Sequence, residues 1–183
     1  MSSAVMFLAD GFEEVEALTA VDLLRRAGVE VTTVSISGQL SVTGRSRISV
    51  LADTVFDEAE TGMADLLILP GGQPGTSNLM KHEGVAAALK KAAADGRKTA
   101  AICAGPTVLG HLGLLKGRKA ACYPGCEGGL DGAEVLEEKV VTDGNVITSR
   151  GAGTAVPFAL ALIEALEGRE EADRIAESIV WKC

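Results

Sequence analysis

The stretch "KTAAICAGPTVLGHLGLL", Lys98 to Leu115, decides the fold. An apolar run ending in "KTAAIC" passes at once into a helix-like run, "AGPTVLGHLGLL", with Cys103 at the corner. The segment "AICAG" has the small-x-nucleophile-x-Gly form of a strand–nucleophile–helix elbow. Small flanking residues are needed there because the turn is tight and neighbouring backbones come close. A helix beginning at Ala104 would aim free N–H groups and its positive dipole end at the sulfur, and both favour thiolate. The competing reading is a small buried hydrophobe, the usual state of a free cysteine.

Outward from this corner the chain alternates strand and helix. "AVMFLA" (4–9) and "ADLLILP" (64–70) are continuous apolar runs of the kind that form buried parallel strands. "EEVEALTAVDLLRRAG" reads as a helix ending at Gly28 with arginines in its last turn, and Asp10 with Glu13 has capping-box spacing. "EVTTVSIS" is a second strand, "LSVTGRSRISVLAD" an edge hairpin, "EGVAAALKKAAADG" a helix and "KAACY" a further strand. "EKVVTDGNVITSRG" is a hairpin turning at Asp143-Gly144, and two helices close the chain. This order predicts an α/β fold, a three-layer sandwich on a mostly parallel sheet with right-handed crossovers. Sites in such sheets collect at the carboxyl ends of the strands, which singles out Asp10-Gly11-Phe12, Gly71-Gly72 and Cys103-Ala104.

A chain of 183 residues, 47 % of them hydrophobic, suits one domain over 1–183 with a full core. No apolar run reaches the length of a membrane span, and the N-terminus lacks the basic start of a signal peptide, so a cytoplasmic protein is expected. A net charge of -8 and only 3 % aromatics argue against a nucleic-acid groove. Cys122 and Cys126 frame "CYPGC", which is neither a CxxC redox pair nor half of a strong zinc pattern. They read as core or surface thiols, and Cys183 as an exposed terminal one. No metal site is expected.

Gly71-Gly72 ends a buried strand. Its N–H groups could form part of an oxyanion hole, or the pair could be an ordinary strand exit. It is not a phosphate loop, because no GxxxxGK[ST] follows. Glu16 heads an apolar helical stripe with Ala20, Leu23 and Ala27 at +4, +7 and +11. Burial there would raise its pKa and keep it protonated near neutral pH, able to donate a hydrogen bond to a thiolate. Glu13 and Glu14 compete with it; Glu14 reads as favourable charge at a helix N-terminus. His111 lies eight residues past Cys103 and is too far along the helix to serve as its base, which leaves His82 or a partner chain. A cysteine–carboxyl pair fits better than a Cys-His dyad.

At these residues the chain resembles the ThiJ/PfpI superfamily, in the branch of the parkinsonism-associated protein deglycase and its bacterial relatives. "LADGFEEVEA", "LPGGQPGTSNL", "AAICAGP" and "TSRGAGTA" carry the resemblance in order, over essentially the whole chain. It implies a flavodoxin-like α/β sandwich, usually a homodimer, with Cys103 as the elbow cysteine and Glu16 as the acid bonded to it. It also implies Gly72 and Ala104 as backbone donors and Glu13 as a second acid at the pocket. The implied activities are cofactor-independent conversion of glyoxals to hydroxy acids, repair of glycated proteins and nucleotides, oxidation sensing and chaperoning. Two departures narrow this. Tyr123 stands where some members have a pocket histidine, and a phenol with a reference pKa of about 10 is a poor base. Ala104 stands where the protease-like branch has histidine, so no peptidase activity is expected.

Overall fold

The computed structural model describes residues 1–182; Cys183 lies outside the described residues. The order is β1 (Ser3–Leu8), α1 (Glu14–Arg26), β2 (Glu30–Ser35), β3 (Ser41–Thr43), β4 (Ser49–Leu51), β5 (Thr54–Val55), β6 (Leu66–Leu69), α2 (Gly75–Lys81), α3 (Glu83–Ala94) and β7 (Lys98–Ile102). There follow α4 (Pro106–His111), β8 (Lys119–Ala120), β9 (Glu134–Val135), β10 (Val140–Asp143), β11 (Val146–Ser149), α5 (Ala155–Glu167) and α6 (Arg169–Ser178).

Seven strands form the central sheet in the order β10-β11-β7-β6-β1-β2-β5, parallel except for the β10–β11 hairpin. Alternation along the strands splits the core in two. Ala4, Met6 and Leu8 of β1, with Leu66, Ile68, Ala100 and Ile102, face α1, α5 and α6. Val5, Phe7, Leu67, Leu69 and Ala101 face α2, α3 and α4. Both faces are covered, which is why these strands read as unbroken apolar runs. The result is the expected flavodoxin-like sandwich.

The chain runs β1–α1–β2 toward one edge and β6–α3–β7 toward the other, so the strand order reverses between β1 and β6. Ligands in open α/β sheets bind in the crevice at such a reversal, beyond the carboxyl ends of the strands. Glu16 follows β1, Gly71 and Gly72 follow β6, and Cys103 follows β7. The topology therefore brings three separate stretches of sequence to one crevice.

Four local expectations are corrected. Asp10 does not cap α1: its carboxylate accepts from the Thr43 N–H (2.9 Å), and Glu13 stands at the cap position. The hairpin β3–β4 is not part of the sheet edge; it forms its own two-stranded sheet, and β5 is the edge strand. The run after Cys103 is helical only over Pro106–His111, and the Leu114 N–H bonds Leu109 O to close it. "KAACY" forms only the short β8, because β11 occupies the place beside β7.

The hairpin is fastened over the N-terminus of α1. Gly11 N–H bonds Thr43 O (2.8 Å) and Arg45 N–H bonds Phe12 O (2.8 Å). Glu14, read from the sequence as a solvated helix-end charge, is buried beneath the turn, where its Oε1 accepts from Ser46 N–H (2.8 Å). Removing a buried acceptor leaves its donor unsatisfied, at a cost of about 1–3 kcal/mol. Glu14→Ala should lower stability by that amount in urea unfolding and speed amide exchange at Ser46, while the β1 and β6 amides, which exchange through global unfolding, should speed by no more than that loss of stability. Unaltered exchange at Ser46 would show that the carboxylate does not hold the turn.

Candidate active site

Cys103 occupies the corner between β7 and α4 with φ +65, in the left-handed region. For a residue with a side chain this costs roughly 1–2 kcal/mol. Two backbone bonds hold it there: Cys103 N–H donates to Ser149 O (3.0 Å), and Tyr123 N–H donates to Cys103 O (2.9 Å). Ser149 is itself fixed, its Oγ 2.6 Å from Lys139 O and 2.7 Å from Thr154 Oγ1. Strain retained by surrounding structure is a recurrent property of functional corners.

The exit of β6 supplies the opposing wall. Gly71 is glycine for space: a Cβ there would lie 2.5 Å from Cys103 Cβ and 2.6 Å from Glu16 Oε2. Gly72 is glycine for conformation as well, with φ +90 and the Glu13 N 2.4 Å from where its Cβ would be. The sulfur accepts from the backbone N–H groups of Ala104 and Gly72. Gly71 N–H donates to Glu16 Oε2 at 2.8 Å. The glycine pair is thus more than a strand exit. Its two N–H groups are divided, one for the carboxyl and one for the sulfur.

Glu16 is 1 % exposed, on the buried stripe of α1 with Ala20 and Leu23. Its side chain is hydrogen-bonded to Cys103. Burial raises its pKa to about 7, against lowering by the Cys103 and Gly71 hydrogen bonds. The thiol is pushed up to about 12, first by burial and then by the Glu16 charge, while the Ala104 and Gly72 N–H groups pull it down. This corrects the expectation of a thiolate favoured by the helix end: α4 starts only at Pro106, and burial beside an ionised carboxylate outweighs two N–H donors. The repulsion vanishes once Glu16 is protonated. Between the two pKa values the pair holds one proton, which rests on the sulfur; the Ala104 and Gly72 N–H groups favour its transfer to Glu16, with the charge on sulfur, and the Gly71 N–H opposes it.

A cavity of about 470 Å³ opens on this pair, lined by Glu13, Glu16, Gly72, Cys103, Ala104 and Tyr123, all six of the residues singled out from the sequence. Arg45, Gln73, Cys126 and Ala152 complete it. None of these four had a local signal; Arg45 arrives on the hairpin, more than twenty-five residues from either neighbouring wall. Its guanidinium pairs with Glu13 Oε2 at 3.2 Å. Tyr123 is 52 % exposed and lies against Gly151. Of the other thiols, Cys122 is buried in the core at 3 %, and Cys126 is half-buried on the cavity wall. No histidine lines the cavity: His82 caps α3, its Nδ1 accepting from Val85 N–H (3.1 Å), and His111 is exposed at the end of α4. A second cavity, about 290 Å³ between α5 and α6, is walled by Leu160, Ala161 and Trp181, with Lys139 at its lining and no cysteine among its described residues.

Fold and site together define a class: parallel α/β sandwiches whose strained elbow cysteine is bonded to a buried carboxyl and faced by backbone N–H donors. Residues 2–165 match the DJ-1/PfpI family, and the chain belongs to it. It is 39 % identical over 172 residues to Protein DJ-1 homolog B of Arabidopsis thaliana, covering 93 % of this chain. The chain spans 39 % of the length of that relative and 45 % of the length of the Arabidopsis DJ-1 homolog A. With glutathione-independent glyoxalase DJR-1.2 of Caenorhabditis elegans it shares 31 % identity over 179 residues, 97 % of this chain and 95 % of the relative. The solved structure of oxidized Toxoplasma gondii DJ-1 is similar at a TM-score of 0.96 and 34 % identity, with 100 % of each chain covered. No described helix is long and apolar enough to cross a membrane.

Two measurements test the geometry. Because Cys103 has positive φ, glycine should be favoured over alanine there: Cys103→Gly should be about 1 kcal/mol more stable than Cys103→Ala, and the reverse order in urea unfolding would remove the strain from the account. The raised Glu16 pKa gives a pH dependence of definite sign. An unfolded chain releases this proton near 4.5, whereas the folded chain keeps it to about 7. Stability is therefore lost as pH rises through that window and is retained below it. Glu16→Gln lacks the loss, so its stability relative to the native chain should rise by about 3 kcal/mol between pH 4.5 and pH 8, at about 1.4 kcal/mol per pH unit. A difference independent of pH would contradict the burial of an ionisable carboxyl here.

Proposed function

We propose that the protein is a glutathione-independent glyoxalase- or deglycase-type enzyme acting on 2-oxoaldehydes such as methylglyoxal and glyoxal, or on their adducts. The observation that carries the reading is the cavity in which one sulfur faces two backbone N–H donors and a buried, proton-holding carboxyl. A volume of about 470 Å³ suits a small ligand. The 31 % identity with a glyoxalase over nearly the full length of both chains supports the same class.

The chemistry starts from the state with Glu16 protonated. The Cys103 thiolate adds to the aldehyde carbon, forming the C–S bond. The new oxyanion lies by the Gly72 and Ala104 N–H groups and takes the Glu16 proton. Ionised Glu16 then removes the hydrogen of that carbon as a proton, and an enediol forms. Reprotonation at the neighbouring carbon gives the thioester of a 2-hydroxy acid. Water cleaves the thioester, and the thiolate leaves. One carbon is oxidised and its neighbour reduced, so no external electron acceptor is consumed. Glu13 is held by Arg45, which leaves Glu16 as the proton shuttle. Tyr123 at the wall orients the substrate by its hydroxyl.

Oxidation of the same sulfur is a second reading. The solved Toxoplasma relative is an oxidized form. A sulfenic or sulfinic oxygen on Cys103 would find the same N–H donors and the Glu16 proton that an oxyanion would.

The test is lactate formation from methylglyoxal without glutathione. Cys103→Ala should abolish it. Glu16→Gln should lower kcat by about 10²–10⁴-fold, the usual contribution of a positioned acid–base group. In the same variant the thiol, relieved of the carboxylate charge, should alkylate at lower pH than in the native chain. Full activity in Cys103→Ala would end the enzyme reading.

A further inference from the structure

Apart from Tyr123, the "CYPGC" segment is not used by the glyoxalase chemistry, yet it places a second thiol on the cavity wall. We propose that Cys126 is the resolving thiol for Cys103: after a hydroperoxide oxidises Cys103 to its sulfenic acid, the two cysteines close a disulfide, making the protein a two-cysteine hydroperoxide reductase. This rests on the oxidation reading of Cys103 given above.

The segment's two cysteines are divided by their turn. Ala121 N–H is fixed by Thr148 Oγ1 (2.8 Å) and Cys122 is packed in the core, whereas Cys126 lines the same cavity as Cys103. A relay of two hydrogen bonds joins the backbones: Cys126 N–H to Tyr123 O (2.9 Å) and Tyr123 N–H to Cys103 O (2.9 Å). The turn Tyr123–Cys126 carries Pro124 and then Gly125 with φ +93, and its ends are within about 7 Å as in any β-turn. A disulfide needs the two Cα atoms within roughly 7 Å, so closure requires this segment to move inward. The tip of the turn can supply that movement, while Cys126 packs against the core and Gly129 lies against Thr107 and Gly110 of α4. Tyr123, Pro124 and Gly125 are exposed. Among the described residues, the hydrogen bonds of 123–129 are local, apart from the one that Tyr123 makes to Cys103. Beyond it the chain is fastened again at buried Leu130.

The steps balance. The Cys103 thiolate attacks the distal peroxide oxygen; the O–O bond breaks, the leaving alkoxide or hydroxide takes a proton from solvent and departs as alcohol or water, and Cys103 becomes S–OH. The Cys126 sulfur then attacks the Cys103 sulfur. The S–O bond breaks, and the departing hydroxide takes the Glu16 proton to leave as water. The Cys126 proton restores Glu16. Two electrons have passed from two thiols to one peroxide, and a low-molecular-weight thiol, as reductant, returns both cysteines to the thiol. Burial and the Glu127 carboxylate hold the Cys126 thiol up, so the electrophilic sulfenic acid drives the pairing rather than a standing thiolate at Cys126.

The experiment treats the full chain with about two equivalents of hydrogen peroxide, the number that a sulfinic acid consumes, under non-reducing conditions, followed by intact mass and peptide mapping. The native chain should lose about 2 Da and yield a Cys103–Cys126 linked peptide, whereas Cys126→Ser should gain about 32 Da on Cys103 as the sulfinic acid. With thiol reductant present, the native chain should consume many equivalents of peroxide and Cys126→Ser should stop after about one or two. If the native chain gains oxygen on Cys103 as fast as Cys126→Ser and no linked peptide forms, the proposal is overturned while the oxidation reading stands. If Cys103 gains no oxygen in Cys126→Ser, the oxidation reading fails with it. A Cys122–Cys126 linkage with Cys103 left free also overturns it.

Discussion

One proton shared between Glu16 and Cys103 is the constraint on which the site depends. Both groups are pushed toward their neutral forms by burial; the Glu16 charge raises the cost of ionising the thiol, whereas the thiol's hydrogen bond eases ionisation of the carboxyl. A buried pair of this kind cannot carry two negative charges. It can carry one, and the surrounding donors decide where that charge sits. Gly71 N–H supports it on the carboxyl; Ala104 and Gly72 N–H support it on the sulfur. The thiolate state is therefore a proton transfer away from the resting one, with no change in net charge.

The fold exists around that contact. Glu16 can approach the sulfur only because residue 71 has no side chain, and the sulfur points into the crevice only because Cys103 accepts a left-handed backbone. Neither condition is met by local preference. Both are imposed by parallel strands β6 and β7 in register, Leu69 opposite Ala101, which set the two strand exits side by side. The α1 stripe then lowers Glu16 between them from the other side of the chain reversal. Apolar burial along β1, β6 and β7 supplies the free energy that keeps a strained cysteine and a buried acid in place.

Much of this was legible in the sequence because it follows from periodicity. Continuous apolar runs identified the buried strands, and the +4, +7 and +11 spacing identified the buried side of α1 and placed Glu16 on it. Small residues around Cys103 marked the corner. What stayed hidden was set by contacts between distant segments. The short length of α4 and the failure of "KAACY" to join the main sheet follow from what packs beside them. The burial of Glu14 follows from the hairpin lying over it. The thiol's elevation was missed because the helix-end argument considered donors alone and left out the acid beside them.

The hairpin shows how such a distant segment acts on the chemistry. Arg45 does not touch Glu16 or Cys103, but it binds Glu13, whose charge raises the Glu16 pKa while the Arg45 charge lowers it. The two effects oppose each other at one carboxyl. Pairing Glu13 with Arg45 sets opposite charges on that wall of the cavity, so burial and the hydrogen-bond donors, more than this wall, govern where the shared proton sits. Were the hairpin to lift, Glu13 would face the pair uncompensated and Glu16 would hold its proton more tightly. Glu14, beneath the turn, is thus coupled to the Cys103 sulfur through the turn, Arg45, Glu13 and Glu16 in succession, although it lines no cavity itself.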